Sequence, residues 1–181
     1  DVPSALGPRI IATREATRDL FGTAGVEAVL AALPADERAL FTGPPPKWVP
    51  EAAYIAWTHA VWNGPAERDA AKLAGWADRV TDRGFGTARR MLMSLASPWV
   101  IVRRAGALWR GEHSHGDLTT TPLGTSGTRF ELRDSPWCAD DVAASAISEA
   151  FRYILFRCRV KWVTEEHTRS ANVLHVELRW G

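Results

Sequence analysis

His113-x-His115, flanked by Glu112 and Asp117, is the tightest group of metal-type ligands in the chain. In an extended segment residues two apart point the same way, so the two imidazoles could share a metal ion. A closed site needs four ligands, and the others would have to come from elsewhere in the fold. The plainer reading is a polar loop where a helix meets a strand. His59 lies between Trp57 and Trp62 on an aromatic stretch, where a boundary histidine is the default and a ligand contact the sharper reading. Arg89-Arg90 and Arg103-Arg104 could grip an anionic head group through their planar forks, but a solvated helix face is the default, and the near-neutral overall charge supports it. Nucleophilic chemistry finds no frame: Gly124-Thr125-Ser126-Gly127 is not the Gly-x-Ser-x-Gly elbow, and no phosphate-cradling glycine loop occurs. Asp36-Glu37 and Asp140-Asp141 sit where helices begin and complement the helix dipole. No catalytic residue and no metal ligand is assigned.

These groups must be placed by elements, and the last third of the chain declares them most clearly. Leu174, Val176, Leu178 and Trp180 alternate with His175, Glu177 and Arg179, the two-residue period of a strand with one buried and one wet face. Leu118 to Thr121 and Thr128 to Arg133 read as a hairpin turning at residues 124–127. Ala139 to Phe156 is a long amphipathic helix that lids the sheet, with Ala143, Ile147, Phe151, Ile154 and Leu155 on its apolar side. Val160, Trp162 and Thr164 form one face of a third strand, and residues 167–172 turn into the fourth.

The first half is helical. Arg9 to Ala12 reads as a short strand or an extended lead-in. Helices follow at Thr13 to Phe21, stopped by Gly22, and at Ala24 to Leu33, ended by Pro34. Further helices are expected at 35–41, 51–62, 66–80, 85–95 and 99–110, with prolines 44–46 as an extended loop. Tyr54, Trp57 and Val61 make an aromatic stripe. Helices first and an antiparallel sheet later is the α+β pattern. The expectation is one domain over 1–181, a helical bundle at about 9–112 packed on a four-stranded antiparallel sheet at about 113–181.

Composition narrows the function. The chain has 181 residues, 22 basic and 21 acidic, for a net charge of +1, which gives no argument for a nucleic-acid or membrane surface. Apolar runs are too short for a membrane span. The chain opens on Asp1 and not Met, read as a trimmed or processed start that leaves an upstream domain open. Cys138 and Cys158 stand at opposite ends of the long helix, roughly 25–30 Å apart. A disulfide needs Cα atoms within about 7 Å, so two free thiols and a cytoplasmic location are expected. Nine tryptophans are the oddity. They fill a core, or line a cavity for a flat apolar ligand.

Gly22-Thr23-Ala24-Gly25, Leu33-Pro34, Trp48-Val49-Pro50, Arg83-Gly84-Phe85, Ser97-Pro98 and Val176-Glu177-Leu178-Arg179-Trp180, in that order, resemble a paralogous family expanded in Myxococcus-like bacteria. The order of elements is similar to the ligand-binding fold shared by vinyl-reductase-type sensor domains, haem-nitric-oxide/oxygen domains and TRAPP tethering subunits. What those relatives imply is carried over by position. The haem binders use Tyr-x-Ser-x-Arg and a histidine on the helix before the sheet; the motif is missing, and that helix, 99–110, has no histidine. The zinc site of the aromatic sensors is missing as well, since the last hairpin holds His167 and His175 but no cysteine. In the phenol sensors a histidine and a tryptophan hold the ligand, which makes His59 with Trp57 an analogue to test.

The resulting expectation is a non-enzymatic sensory or regulatory module without a cofactor, binding a small apolar or amphipathic molecule between helices and sheet. Tyr54, Trp57, His59, Val61, Met91, Leu95, Ile147 and Phe151 are the candidate pocket residues. The alternative is an interaction or scaffold module, a homodimer or a docking platform for a signalling partner, with aromatic side chains at its interface.

Overall fold

Proline and glycine punctuate the first half of the chain, and the helices run between them. In the computed structural model the backbone is described throughout residues 1–181 and side chains for all but 87–89, so Arg89 of the first arginine pair lies outside the described residues. The chain divides into two compact units, Asp1–Gly84 and Phe85–Gly181.

In the first unit β1 (Ser4–Leu6) pairs antiparallel with β2 (Trp48–Pro50). The helices are α1 (Arg9–Ala32), α2 (Ala35–Thr42), α3 (Glu51–Asn63) and α4 (Ala70–Gly84); α3 packs on the ribbon, and α1 packs on α2, α3 and α4. The expected lead-in at Arg9 to Ala12 is instead the first turn of α1, and the extended segment lies five residues earlier. Ile10 is buried there, and one Ile-Ile pair cannot separate a strand from a helix by periodicity. The expected break at Gly22 is present: its φ of 70° and ψ of −175° are non-helical and divide α1 into two helical segments. The helix expected from Ala66 begins at Ala70, because Glu67 and Arg68 take positive φ in the preceding turn. Asp69 then holds the Ala71 and Lys72 amides at 2.8 and 3.1 Å, a side-chain cap for α4. Trp57, Phe41, Ile10, Val29 and Val61 form the core of this unit.

The second unit carries α5 (Thr87–Leu95), α6 (Pro98–Glu112), β3 (Asp117–Pro122), β4 (Gly127–Arg133), a 3-10 turn (Pro136–Cys138), α7 (Asp141–Phe156), β5 (Val163–Ser170) and β6 (Val173–Trp180). The sheet is antiparallel in the order β3-β4-β6-β5. The fold class is α+β, with the two hairpins separated by the long helix, as the alternation in β6 and β4 implied. Helices α5 and α6 belong with the sheet and not with the preceding bundle. Gly106 explains the closeness of α6: a Cβ there would lie 2.7 Å from the Leu118 carbonyl oxygen of β3. Asp140 caps α7 by accepting from the Val142 and Ala143 amides at 3.0 and 2.9 Å, the structural role expected of it.

One strand starts later than expected. Val160, Trp162 and Thr164 were read as one face of the third strand; β5 begins at Val163, which is buried, and Trp162 and Thr164 on either side of it are both exposed, Trp162 at 49%. The Trp162 amide donates to the Gly181 carbonyl, and the indole lies against Gly181, so it covers the chain's end and not the sheet face.

Candidate functional site

The eight candidate pocket residues divide between the two units. In the first, Tyr54, Trp57 and Val61 all point inward, as their spacing requires. Phe41 meets Trp57 at 4.3 Å and Tyr54 edge-on at 6.1 Å. The Tyr54 hydroxyl donates to the Leu6 carbonyl at 2.8 Å and ties α3 to β1; burial pushes its pKa up. Trp57 is fully buried, and its indole N–H donates to the Thr17 hydroxyl at 3.0 Å. A second indole, Trp76, donates to the same oxygen at 3.0 Å, and the hydroxyl itself donates to the Thr13 carbonyl. One threonine thereby satisfies two tryptophans from α3 and α4, a node that no local sequence pattern announces. His59 is half-buried and stands two residues from Trp57, about 200° round the helix, so the pair cannot close on one ligand from α3.

Glu51 is a further buried ionisable group, at the first turn of α3. Loss of hydration pushes its carboxyl up to about 7, against the pull of Arg9.

In the second unit Ile147 and Phe151 of α7 face the sheet and are buried, whereas Met91 and Leu95 of α5 are 65% and 56% exposed. Phe151 stacks on Phe130 of β4 at 5.2 Å and meets Trp109 of α6 edge-on at 6.2 Å. Trp109 in turn lies flat on His113, centroids 3.7 Å apart and planes 2° from parallel. Trp109, His113, Phe130 and Phe151 thus form an aromatic nest between α6, α7 and the sheet, with one imidazole as its polar member. The two histidines of the His113-x-His115 cluster part here. His113 turns into the nest at 5% exposure, while His115 stays half-buried with Nδ1 2.9 Å from the Ser114 hydroxyl. Among the described residues no group of three or more histidine, cysteine, aspartate or glutamate side chains could hold a metal ion.

Haem does not fit this nest. An axial imidazole needs a porphyrin-sized space before its nitrogen, which would leave the ring accessible, and His113 is enclosed and covered on one face by Trp109. No Tyr-x-Ser-x-Arg, the propionate motif, occurs in the sequence.

At the rim of α7 a second arrangement escaped the sequence reading, because its members come from a helix and a strand twenty or more residues apart. Ser145 Oγ lies 3.4 Å from His167 Nε2, and His167 Nδ1 lies 2.6 Å from Glu165 Oε1. The Glu165 hydrogen bond holds the imidazole pKa above its ordinary value, against desolvation. The order nucleophile, base, carboxylate is that of a hydrolase triad, but Ser145 lies inside α7, where backbone N–H groups serve the helix ladder and none converges on an oxyanion. The group acts as a brace between β5 and α7, beside the Arg169–Asp141 ion pair at 2.9 Å.

Both cysteines are free and buried, and burial pushes Cys158 up to about 11, so neither is a reactive thiolate at neutral pH. Among the described residues no helix is long and apolar enough to cross a membrane.

No family model matches the chain, and no curated protein matches it in sequence. Solved structures match its fold. An oxygen-binding H-NOX domain related to soluble guanylate cyclases superposes with a TM-score of 0.67 at 9% identity, over 96% of this chain and 94% of that one. The Fe(II) unliganded H-NOX protein from K. algicida gives 0.69 at 7% identity, over 97% and 96%. An H-NOX protein from S. oneidensis gives 0.68 at 10% identity, again over 97% and 96%. The chain has the H-NOX fold.

Proposed function

We propose that this chain is a non-enzymatic sensory module that holds a small apolar or amphipathic molecule and transmits its presence through α7. The observation that carries this reading is the extent of the H-NOX likeness, which takes in nearly all of both chains. An oxygen-binding domain among those neighbours is the precedent for a small-molecule receptor on this architecture. The aromatic nest supplies flat apolar faces with a single hydrogen-bonding group, the usual make-up of a small-molecule site. Phe151 belongs both to the nest and to α7, so a guest that displaces its ring moves the helix. The ligand class that suits the nest is a flat apolar molecule, smaller than a porphyrin.

Native and denaturing mass spectrometry of freshly purified protein is the direct test. A reproducible excess mass, lost on denaturation and raising the melting temperature when added back, is the expected result. Phe151→Ala is the companion variant, since it removes a ring between two others and leaves a space for a benzene-sized guest. A bare chain, with no thermal shift of wild type or Phe151→Ala across a panel of aromatics and fatty acids, would sink the reading. A bare chain that flies as a dimer would favour a scaffold.

A further inference from the structure

The charges of Phe85–Gly181 are segregated along the chain. No aspartate or glutamate lies between Asp82 and Glu112, and none between Glu149 and Glu165. The fold joins these two acid-free stretches. The Arg159 amide donates to the Ala96 carbonyl at 3.4 Å, at the turn between α5 and α6. Nearby, Trp162 lies against Gly181, and Trp180 meets Trp99 of α6 edge-on at 5.2 Å. The end of α5, the start of α6 and the segment between α7 and β5 therefore make one continuous surface.

Two kinds of side chain project from it. Met91, Leu92 and Leu95 form a stripe on α5 at 65%, 69% and 56% exposure, joined by Val100 at 45% and Trp162 at 49%. Arg103, Arg104, Arg159 and Lys161 are exposed around them, and the acid-free runs deny them a carboxylate from their own segment. Nucleic acid would match the cations and leave the apolar stripe in water. A helix-binding groove would enclose apolar side chains on several sides, whereas those of the α5 stripe have more than half their surface free. Protruding leucine, methionine and tryptophan interleaved with arginine and lysine match a lipid interface, where the apolar groups enter the acyl boundary and the cations reach the head groups.

We propose that this surface docks the protein onto anionic lipid bilayers. The docking is independent of any ligand in the aromatic nest.

The test is flotation of the whole chain with phosphatidylcholine vesicles, with and without phosphatidylglycerol. Recovery is expected with the anionic vesicles alone and falls as salt is raised. Arg159→Glu/Lys161→Glu and Arg103→Glu/Arg104→Glu each lower partitioning about tenfold or more. Leu92→Gln/Leu95→Gln lowers it several-fold at salt concentrations that screen the charges, and Lys47→Glu, on an exposed loop of the other unit, leaves it unchanged. Each variant alters exposed side chains, so unchanged circular dichroism is expected alongside. Equal recovery with neutral vesicles, no recovery with anionic ones at low salt, or charge-reversal variants that float like wild type would overturn the proposal. So would an acidic peptide or a second copy of the chain that occupies the surface while vesicles do not.

Discussion

At the scale of single residues, the buried polar groups give the sharpest expectations. Thr17 accepts from two indoles that have no other route to water, so Thr17→Val strands two buried donors. A loss of about 2–5 kcal/mol in denaturant unfolding is expected, and Thr17→Ser, which keeps the oxygen, recovers most of it. Glu51 is held neutral by burial, with a carboxyl pKa of about 7 against an ordinary 4.5. A raised folded-state value favours the protonated form, so this contribution is complete below about 4.5 and is lost as pH rises through about 7. Glu51→Gln should therefore be more stable than wild type at pH 8, by about 1–3 kcal/mol, and near parity at pH 5. Equal pH profiles would refute this. None of these roles is legible locally: Thr17 reads as one more helical threonine, and its importance comes from residues forty and fifty-nine positions away. Tyr54, Trp57 and Val61 were legible as inward-facing, because helical spacing is a local property; His59 was paired with Trp57 although the same spacing turns them apart on α3.

At the scale of elements, punctuation carried most of the information. Gly22 was read as a stop and does divide two helical segments, with φ and ψ in a region open almost solely to glycine. No atom lies within 4 Å of the Cβ that alanine would add there, so only the backbone opposes substitution. Gly22→Ala is expected to cost about 1–3 kcal/mol in thermal or denaturant unfolding; a neutral substitution would mean that α1 straightens without loss. Strands β4 and β6 were placed by their alternation, and cross-strand pairs such as Arg129 with Glu177, Nε to Oε1 3.0 Å, reward that register on the wet face. The start of β5 was set too early, because Val160 and Trp162 continue the alternation of Thr164 ahead of the first paired residue, Val163. Backbone bonds to Gly181, which is distant in sequence, settle the matter instead.

At the scale of the molecule, the order of helices and hairpins pointed to the H-NOX architecture although identity to the solved examples is 7–10%. Element order survives when side chains do not, and the missing haem residues were equally visible. Haemin added to the purified protein should give no stoichiometric Soret band, and a one-to-one complex by titration would contradict the account of His113. What the composition concealed was the distribution of charge: a net +1 averages over two acid-free stretches that the fold brings together at Ala96 and Arg159. Where the brace of Ser145, His167 and Glu165 sits has a further consequence. Strand β5 is an outer strand of the sheet, and from Thr164 to Ser170 it carries nothing but hydroxyl, carboxylate, imidazole and guanidinium groups. A strand from another molecule seeking to extend the sheet would have to dehydrate that row without gaining an apolar contact. The open edge is thereby guarded against fibril growth, and crowding should leave the sheet at four strands.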